Sequence, residues 1–164
     1  MLWKLDFDIY RKLSIPVLFL PSANSVWNGQ IIFLYYYPNY GIIIFMNMKP
    51  LVWIGSSRDD LKKFPEEVQD VAGFGLYKAQ MGGKHPAAKP LKGYHGAGVV
   101  EIVDNHSGNT YRIVYTTKLE GVIYVLHAFQ KKAKTGIETP KQDIDLINNR
   151  LKTAIEHHKL RFKK

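Results

Sequence analysis

Three basic side chains and an imidazole lie close together around one apolar run, "YVLHAFQKK" at residues 124–132. The run carries His127, Lys131 and Lys132, and Arg112 belongs to the apolar run before it. Charged strand ends are common, so the pattern is typical of a strand that runs out into solvent. The same residue types also suit a polyanionic substrate, because guanidinium and ammonium groups bind phosphate and an imidazole exchanges protons near neutral pH.

The neighbourhood of Arg112 allows two interpretations. Side chains alternate between the faces of a strand, so Tyr111 and Ile113 point away from Arg112. If the turn at "NHSG" is tight, Glu101 lies roughly opposite Arg112. The pair is then either a cross-strand ion pair that contributes a fraction of a kcal/mol, or a carboxylate that holds the planar guanidinium ready for phosphate.

Further cations precede the predicted sheet. The segment "KHPAAKPLKGYHGAG" contributes Lys89, Lys92 and His95, each of which alone is typical of a solvated loop. Because His127 and Lys131 share one parity on their strand, these residues together could place several cations and an imidazole around one open sheet face.

No metal or cofactor site is predicted. The six histidines are scattered, and His157 and His158 point about 100° apart on a helix. The "GAG" at 96–98 leads into a strand, whereas a phosphate-binding glycine loop leads into a helix. The absence of cysteine excludes disulfides and thiolate chemistry.

Composition narrows the class of partner without choosing one. The 164 residues include 23 Lys and Arg against 14 Asp and Glu, a net charge of +9. Such an excess suits nucleic acid, an acidic membrane surface or an acidic protein.

Residues 1–47 differ from the rest. No charged residue lies between Lys12 and Lys49, yet prolines and amides interrupt every apolar run, so no membrane-spanning helix is expected. We predict an aromatic-rich N-terminal extension, which either precedes a true start at Met46 or Met48 or folds as short strands or a hairpin. Residues 48–164, with a charge of +8, form the predicted working domain.

The domain is predicted to be α+β. "PLVWI" (50–54) predicts a strand, Ser57 with Asp60 predicts a capping box for a short helix, and Pro65 predicts the first residue of a longer helix that ends at Gly82. The segment up to residue 98 is predicted to be a loop.

Three strands and a helix complete the predicted domain. The apolar runs 99–104, 110–117 and 122–132 have short links, which predict an antiparallel meander. Thr139 and Pro140 then predict the start of a C-terminal helix.

These motifs resemble a known family. The segments "SSRDDLKKFPEEVQDVAGFGLYKAQMG", "KPLKG", "VVEI", "GNTYRIVY" and "IYVLHAFQKKAKTGIETPKQDID" are similar to the phage-derived HigB-like branch of the RelE/ParE toxin superfamily. The resemblance covers about residues 51–156 and implies a RelE-like fold, with two N-terminal helices, a small antiparallel sheet and a C-terminal helix.

The resemblance also implies a function. It implies a cytoplasmic toxin of a type II toxin–antitoxin system that cleaves mRNA, often on the ribosome, without a metal or other cofactor. A 2′-hydroxyl attacks the adjacent phosphate and leaves a 2′,3′-cyclic phosphate. Arg112, Lys131 and Lys132 match the family's phosphate-binding cations, Lys92 matches a basic position ahead of the sheet, and His127 is our candidate for acid or base.

The implied partners are a helix-turn-helix antitoxin, mRNA and the ribosome, with no membrane. Two alternatives stay open, because the same fold also serves toxins that poison gyrase without nuclease chemistry. The chain is therefore an endoribonuclease, a gyrase-inhibiting toxin, or an inactive basic RNA-binding protein.

Overall fold

The computed structural model describes residues 25–27, 30–36, 43–94, 96–131 and 140–161. The chain divides after Lys49 into two compact units. In the first unit, β1 (Ser25–Trp27), β2 (Gln30–Tyr36) and β3 (Ile43–Met48) form an antiparallel sheet in that order. Short strands are therefore present in the part of the N-terminal segment that the structure describes.

The second unit confirms the α+β class. Its elements follow in chain order: β4 (Leu51–Trp53), α1 (Ser57–Leu61), α2 (Glu66–Gln80), β5 (Ala88–Pro90), β6 (Val99–His106), β7 (Asn109–Thr116), β8 (Ile123–Lys131) and α3 (Lys141–Arg161). The predicted strands and helices are present, with bounds that differ by one to three residues.

The five-stranded sheet has the order β4-β8-β7-β6-β5. β6, β7 and β8 form the predicted antiparallel meander, but β4 pairs parallel with β8, so the sheet is mixed. β5 lies within the segment predicted to be a loop, so the loop prediction was wrong at Ala88–Pro90. Pro90 is tolerated there because β5 is an edge strand, where one side of the backbone needs no partner.

Helices cover both faces of this sheet. Alternation along β7 sends Ile113 and Tyr115 to a core shared with Ala72 and Leu76 of α2. It sends Val114 to a second core, which contains Ile147 of α3. The face that carries Arg112 and His127 is thus the face on which α3 packs.

The predicted capping box at Ser57 was wrong. Ser57 is buried, and its hydroxyl donates to the carbonyl of Val125 at 3.1 Å, which ties α1 to β8. Ser56 occupies the N-cap position, and its hydroxyl donates to Asp60 at 2.6 Å. Two adjacent serines offer the same local signal, and only the position of β8 decides which one is buried.

One helical glycine has a packing reason. A Cβ at Gly75 would lie 2.5 Å from Cδ1 of Ile102, a fully buried side chain of β6. The glycine costs about 1 kcal/mol of helix propensity, but it lets α2 approach the sheet closely. Among the described residues, no helix is both long and apolar enough to span a membrane.

Candidate active site on the β7–β8 face

The register of β7 and β8 brings most of the predicted site residues to one face. Arg112 lies opposite Phe129, and Val114 lies opposite His127, while Lys131 lies opposite Thr110. Since alternate residues share a face, Arg112, His127 and Lys131 all lie on the side that α3 covers in part. The pairing of β7 with β8 therefore brings these three residues to one face, as predicted.

Arg112 forms a buried ion pair. Its Nη1 donates to Oε2 of Glu101 at 2.6 Å, and the two side chains are 9% and 4% exposed. The pair runs diagonally across the ladder, because Val103 and not Glu101 is directly opposite Arg112. Lys89, which is 58% exposed, approaches the same carboxylate at 3.8 Å. Removing one partner of a buried pair costs far more stability than removing one partner of the surface pair that the sequence predicts.

His127 is held on both sides by α3. Its Nε2 lies 3.0 Å from Oδ1 of Asp143, and its Nδ1 lies 3.2 Å from Nη1 of Arg150. Its ring also stacks on Phe129, with centroids 4.8 Å apart. Because a guanidinium only donates, Nδ1 accepts from Arg150 and Nε2–H donates to Asp143. The neutral imidazole satisfies both contacts at once.

Burial lowers the pKa of His127 below its usual value, and the positive charge of Arg150 acts in the same direction. The hydrogen bond and charge of Asp143 oppose this shift without cancelling it. His127 is therefore neutral at pH 7. Both of its ring nitrogens are engaged within the protein.

Arg150 connects three elements. Besides His127, it donates to the carbonyl of Leu126 at 2.9 Å and to the hydroxyl of Ser56 at 2.6 Å. Burial lowers its pKa, and the nearby charge of Asp60 opposes that. Gly55 makes room for the guanidinium, since it adopts a φ of 58° and a Cβ there would lie 3.1 Å from Nε.

The hydrogen-bonded chain continues on α1. Asp60 accepts from Ser56 at 2.6 Å and from Lys63 at 2.9 Å. Burial would raise the pKa of Asp60, but these two hydrogen bonds and the charges of Lys63 and Arg150 outweigh it, so the net direction is downward. Asp60 is thus a carboxylate at neutral pH.

The sequence did not predict this chain of hydrogen-bonded side chains. Asp143 and Arg150 are seven residues apart and share one helical face, which is a local signal that can be read. Their partners Ser56 and His127 come from distant segments, and no local pattern points to them.

The remaining predicted residues are less closely grouped. Lys92 is exposed in the turn after β5, and Lys131 is half-buried at the end of β8. His95 and Lys132 lie outside the described residues. Within the described part of the chain, no group of three or more His, Cys, Asp or Glu side chains could hold a metal ion.

Comparison with known families adds the decisive observation. Residues 59–152, more than half of the chain, match the family described as "Phage derived protein Gp49-like (DUF891)". The chain belongs to this family. The Gp49-like family is a phage-derived, toxin-like family associated with RelE/HigB-type toxins, and the mixed sheet with its three helices is compatible with a RelE-like fold. No curated protein and no solved structure matches the chain significantly.

Proposed function

We propose that this Gp49-like protein is the toxin of a type II toxin–antitoxin system and that it cleaves ribosome-bound mRNA. The observation that carries the proposal is the placement of Arg112 and Lys131 on one face of adjacent strands, in a chain of this family. Cations on one face suit a substrate whose charge lies on successive phosphates.

The proposed reaction is an in-line displacement within the RNA. The 2′-hydroxyl loses its proton to a base, its oxygen forms a bond to the adjacent phosphorus, and the bond from phosphorus to the 5′-oxygen breaks. The departing oxygen takes up a proton, so the products are a 2′,3′-cyclic phosphate and a 5′-hydroxyl. Negative charge builds up on the phosphoryl oxygens, and fixed cations aimed at that charge lower the barrier.

In this proposal, Arg112 and the pair Lys131 and Lys132 stabilise that charge. The buried carboxylate of Glu101 supports Arg112 from within the sheet, because the contact through one terminal nitrogen fixes the guanidinium. Lys89, Lys92 and His95 would bind the RNA backbone beside the site.

His127 takes a different role from the acid or base that we expected. Its Nε2 is bonded to Asp143 and its Nδ1 to Arg150. An imidazole with both nitrogens engaged has neither a proton to give nor a lone pair to offer at the phosphate. We propose that His127 positions β8 against α3 and thereby holds Lys131 in place.

The partner and compartment follow from the same proposal. A cytoplasmic toxin that attacks mRNA must be held inactive, and the +8 charge of residues 48–164 suits an acidic segment of a helix-turn-helix antitoxin. Such complementarity would speed association and make binding depend on salt.

A gyrase-inhibiting toxin without nuclease activity is the second candidate. The observations that favour it are the burial of Arg112 against Glu101 and the engagement of His127, which both suit structural residues. In that case the face that carries Arg112 and Lys131 would bind protein or DNA, and no RNA bond would break.

One experiment separates the two candidates. The protein is induced in cells without antitoxin, and the 5′ ends of cellular mRNAs are mapped within minutes, while gyrase supercoiling is assayed with the purified protein. New mRNA ends with normal gyrase activity support the proposal. Inhibited supercoiling with intact mRNA supports the second candidate, and neither effect would leave an inactive RNA-binding protein.

A further inference from the structure

A row of three polar side chains crosses the sheet next to Arg112. Asn105 of β6 lies directly opposite Thr110 of β7, and Thr110 lies directly opposite Lys131 of β8. Thr110 and Arg112 are two residues apart on one strand, so they share a face and lie about 7 Å apart along it. The polar row, which consists of Asn105, Thr110 and Lys131, therefore lies on the face that carries Arg112.

The described part of α3 runs away from the polar row. The helix contacts β8 first at His127, through its first turn, and then at Tyr124, near its end. Lys131 lies on the other side of His127 along the same strand. The side chain of Asn105 is exposed at this end of the face, where a ligand can reach it.

The amide of Asn105 is held in one orientation. The hydroxyl of Thr110 donates to its Oδ1 at 2.8 Å, so the two N–H donors on Nδ2 point away from Thr110. The hairpin that carries both residues has a two-residue turn at Ser107 and Gly108, with φ of 48° and 76°. Positive φ at both positions is what a tight type I′ hairpin turn requires. Asn105 is thus a donor that is oriented before any ligand arrives.

We propose that Nδ2 of Asn105 donates to a phosphate of the RNA next to the one that Arg112 and Lys131 contact, and that Thr110 is its positioning residue. Asn105 and Lys131 are diagonal neighbours of Arg112 on the two adjacent strands, at about 7–8 Å. One RNA strand that crosses the face from β8 to β6 therefore presents successive phosphates to these residues. The inference rests on the proposed function, because it names a further contact to the same substrate.

Asn105→Asp separates RNA binding from a purely structural role in the hairpin. Aspartate keeps an oxygen that accepts from Thr110, so the cross-strand hydrogen bond remains, but both donors are replaced by a negatively charged acceptor. The full chain is titrated with single-stranded RNA that is 2′-O-methylated throughout and so cannot be cleaved, and binding is followed by fluorescence anisotropy. We expect about tenfold weaker binding with an unchanged melting temperature. An affinity equal to that of the wild type would overturn the inference.

Asn109→Asp is the matched control. Asn109 belongs to the same hairpin, but it is adjacent to Thr110 in sequence, so its side chain lies on the opposite face. Its cross-strand neighbour His106 approaches Glu67 of α2 at 4.0 Å, as expected for that face. The control adds the same charge and should leave RNA affinity unchanged. Equal losses in the two variants would overturn the inference, because a general effect of negative charge would then explain both.

RNAs made of a single base type identify the group that Asn105 binds. A phosphate contact carries no base information, so Asn105→Asp should weaken binding of adenine, cytosine and uracil homopolymers by the same factor. A loss confined to one of the three would overturn the phosphate assignment, because the amide would then bind a base edge.

Comparison with mRNA cleavage distinguishes this inference from the proposed function. If the wild-type protein cleaves mRNA and Asn105→Asp binds RNA normally, the Asn105 contact fails and the nuclease proposal stands. If Asn105→Asp binds RNA more weakly but the wild type cleaves no mRNA, the nuclease proposal fails and the phosphate contact stands. A wild-type protein that binds none of these RNAs would also overturn the inference.

Discussion

Replacing Arg112 with glutamine removes one partner of a buried ion pair and leaves the other in place. Among the residues that the structure describes, Glu101 would then keep only the exposed ammonium of Lys89 at 3.8 Å as a cationic partner. Breaking a buried pair typically costs 3–5 kcal/mol, because an uncompensated charge remains inside. Since Lys89 offsets part of that charge, we expect about 3 kcal/mol for Arg112→Gln, which corresponds to a fall in melting temperature of about 10 °C.

The double variant Glu101→Gln/Arg112→Gln removes both charges. Amides of similar shape can hydrogen-bond to each other, so we expect most of the lost stability to return, with a coupling energy of about 2 kcal/mol. Thermal and denaturant unfolding of the wild type, both single variants and the double variant measure this coupling. Lys89→Ala, which removes the exposed cation from the same carboxylate, should cost less than about 1 kcal/mol.

The same double variant tests the role of Arg112 in RNA cleavage. A single alanine substitution at Arg112 would confuse lost folding with lost chemistry, whereas the folded double variant lacks only the guanidinium and its support. We expect its cleavage rate to fall about 10²–10³-fold. A stability loss under about 1 kcal/mol in Arg112→Gln would refute the buried pair, and a normal rate in the folded double variant would refute the phosphate contact.

Three further predictions concern the α3 contacts and the partner. Arg150→Ala should destabilise the fold by about 2–4 kcal/mol, because it orphans part-buried acceptors on Leu126 and His127 and also removes the contact with the exposed Ser56. The exposed Lys152→Ala on the same helix should change denaturant stability by less than about 0.5 kcal/mol, and equal effects of the two substitutions would contradict this. Because the pKa of His127 is lowered in the fold, the unfolded chain binds the proton more readily than the folded chain. The stability that this group contributes is therefore complete above its unfolded pKa of about 6.5 and is lost as the pH falls below that value. The stability advantage of the wild type over His127→Gln should shrink from pH 7 to pH 5, and a constant difference would contradict this. The affinity for the proposed antitoxin should weaken as salt is raised, and an affinity that is independent of ionic strength would count against charge complementarity.

Local sequence signals predicted much of the fold. Alternation and short links were enough for the meander, and the helical spacing of apolar residues with Pro65 and Gly82 was enough for α2. The same alternation placed Glu101 near Arg112, although the pair proved to be diagonal and buried. These features depend on residues within about 20 positions of each other, where periodicity carries the information.

The rest depends on contacts between distant segments. The parallel pairing of β4 with β8 joins residues about 70 positions apart, and Arg150 reaches Ser56 across 94 positions. β5 forms only because β6 offers an open edge to a segment whose prolines and glycines predict a loop. The burial of Arg112 and the engagement of His127 likewise require α3 and β6 to be in place, so the sequence alone left their roles open.

The most direct test of the central claim is a cleavage assay on ribosome-bound mRNA in which one nucleotide at a mapped cut site lacks its 2′-hydroxyl. If the 2′-oxygen is the nucleophile, cleavage stops at that position and continues elsewhere, and the fragments from unmodified mRNA end in a 2′,3′-cyclic phosphate. Unchanged cleavage at the deoxy position, or mRNA that stays intact with the wild-type protein, would contradict the account.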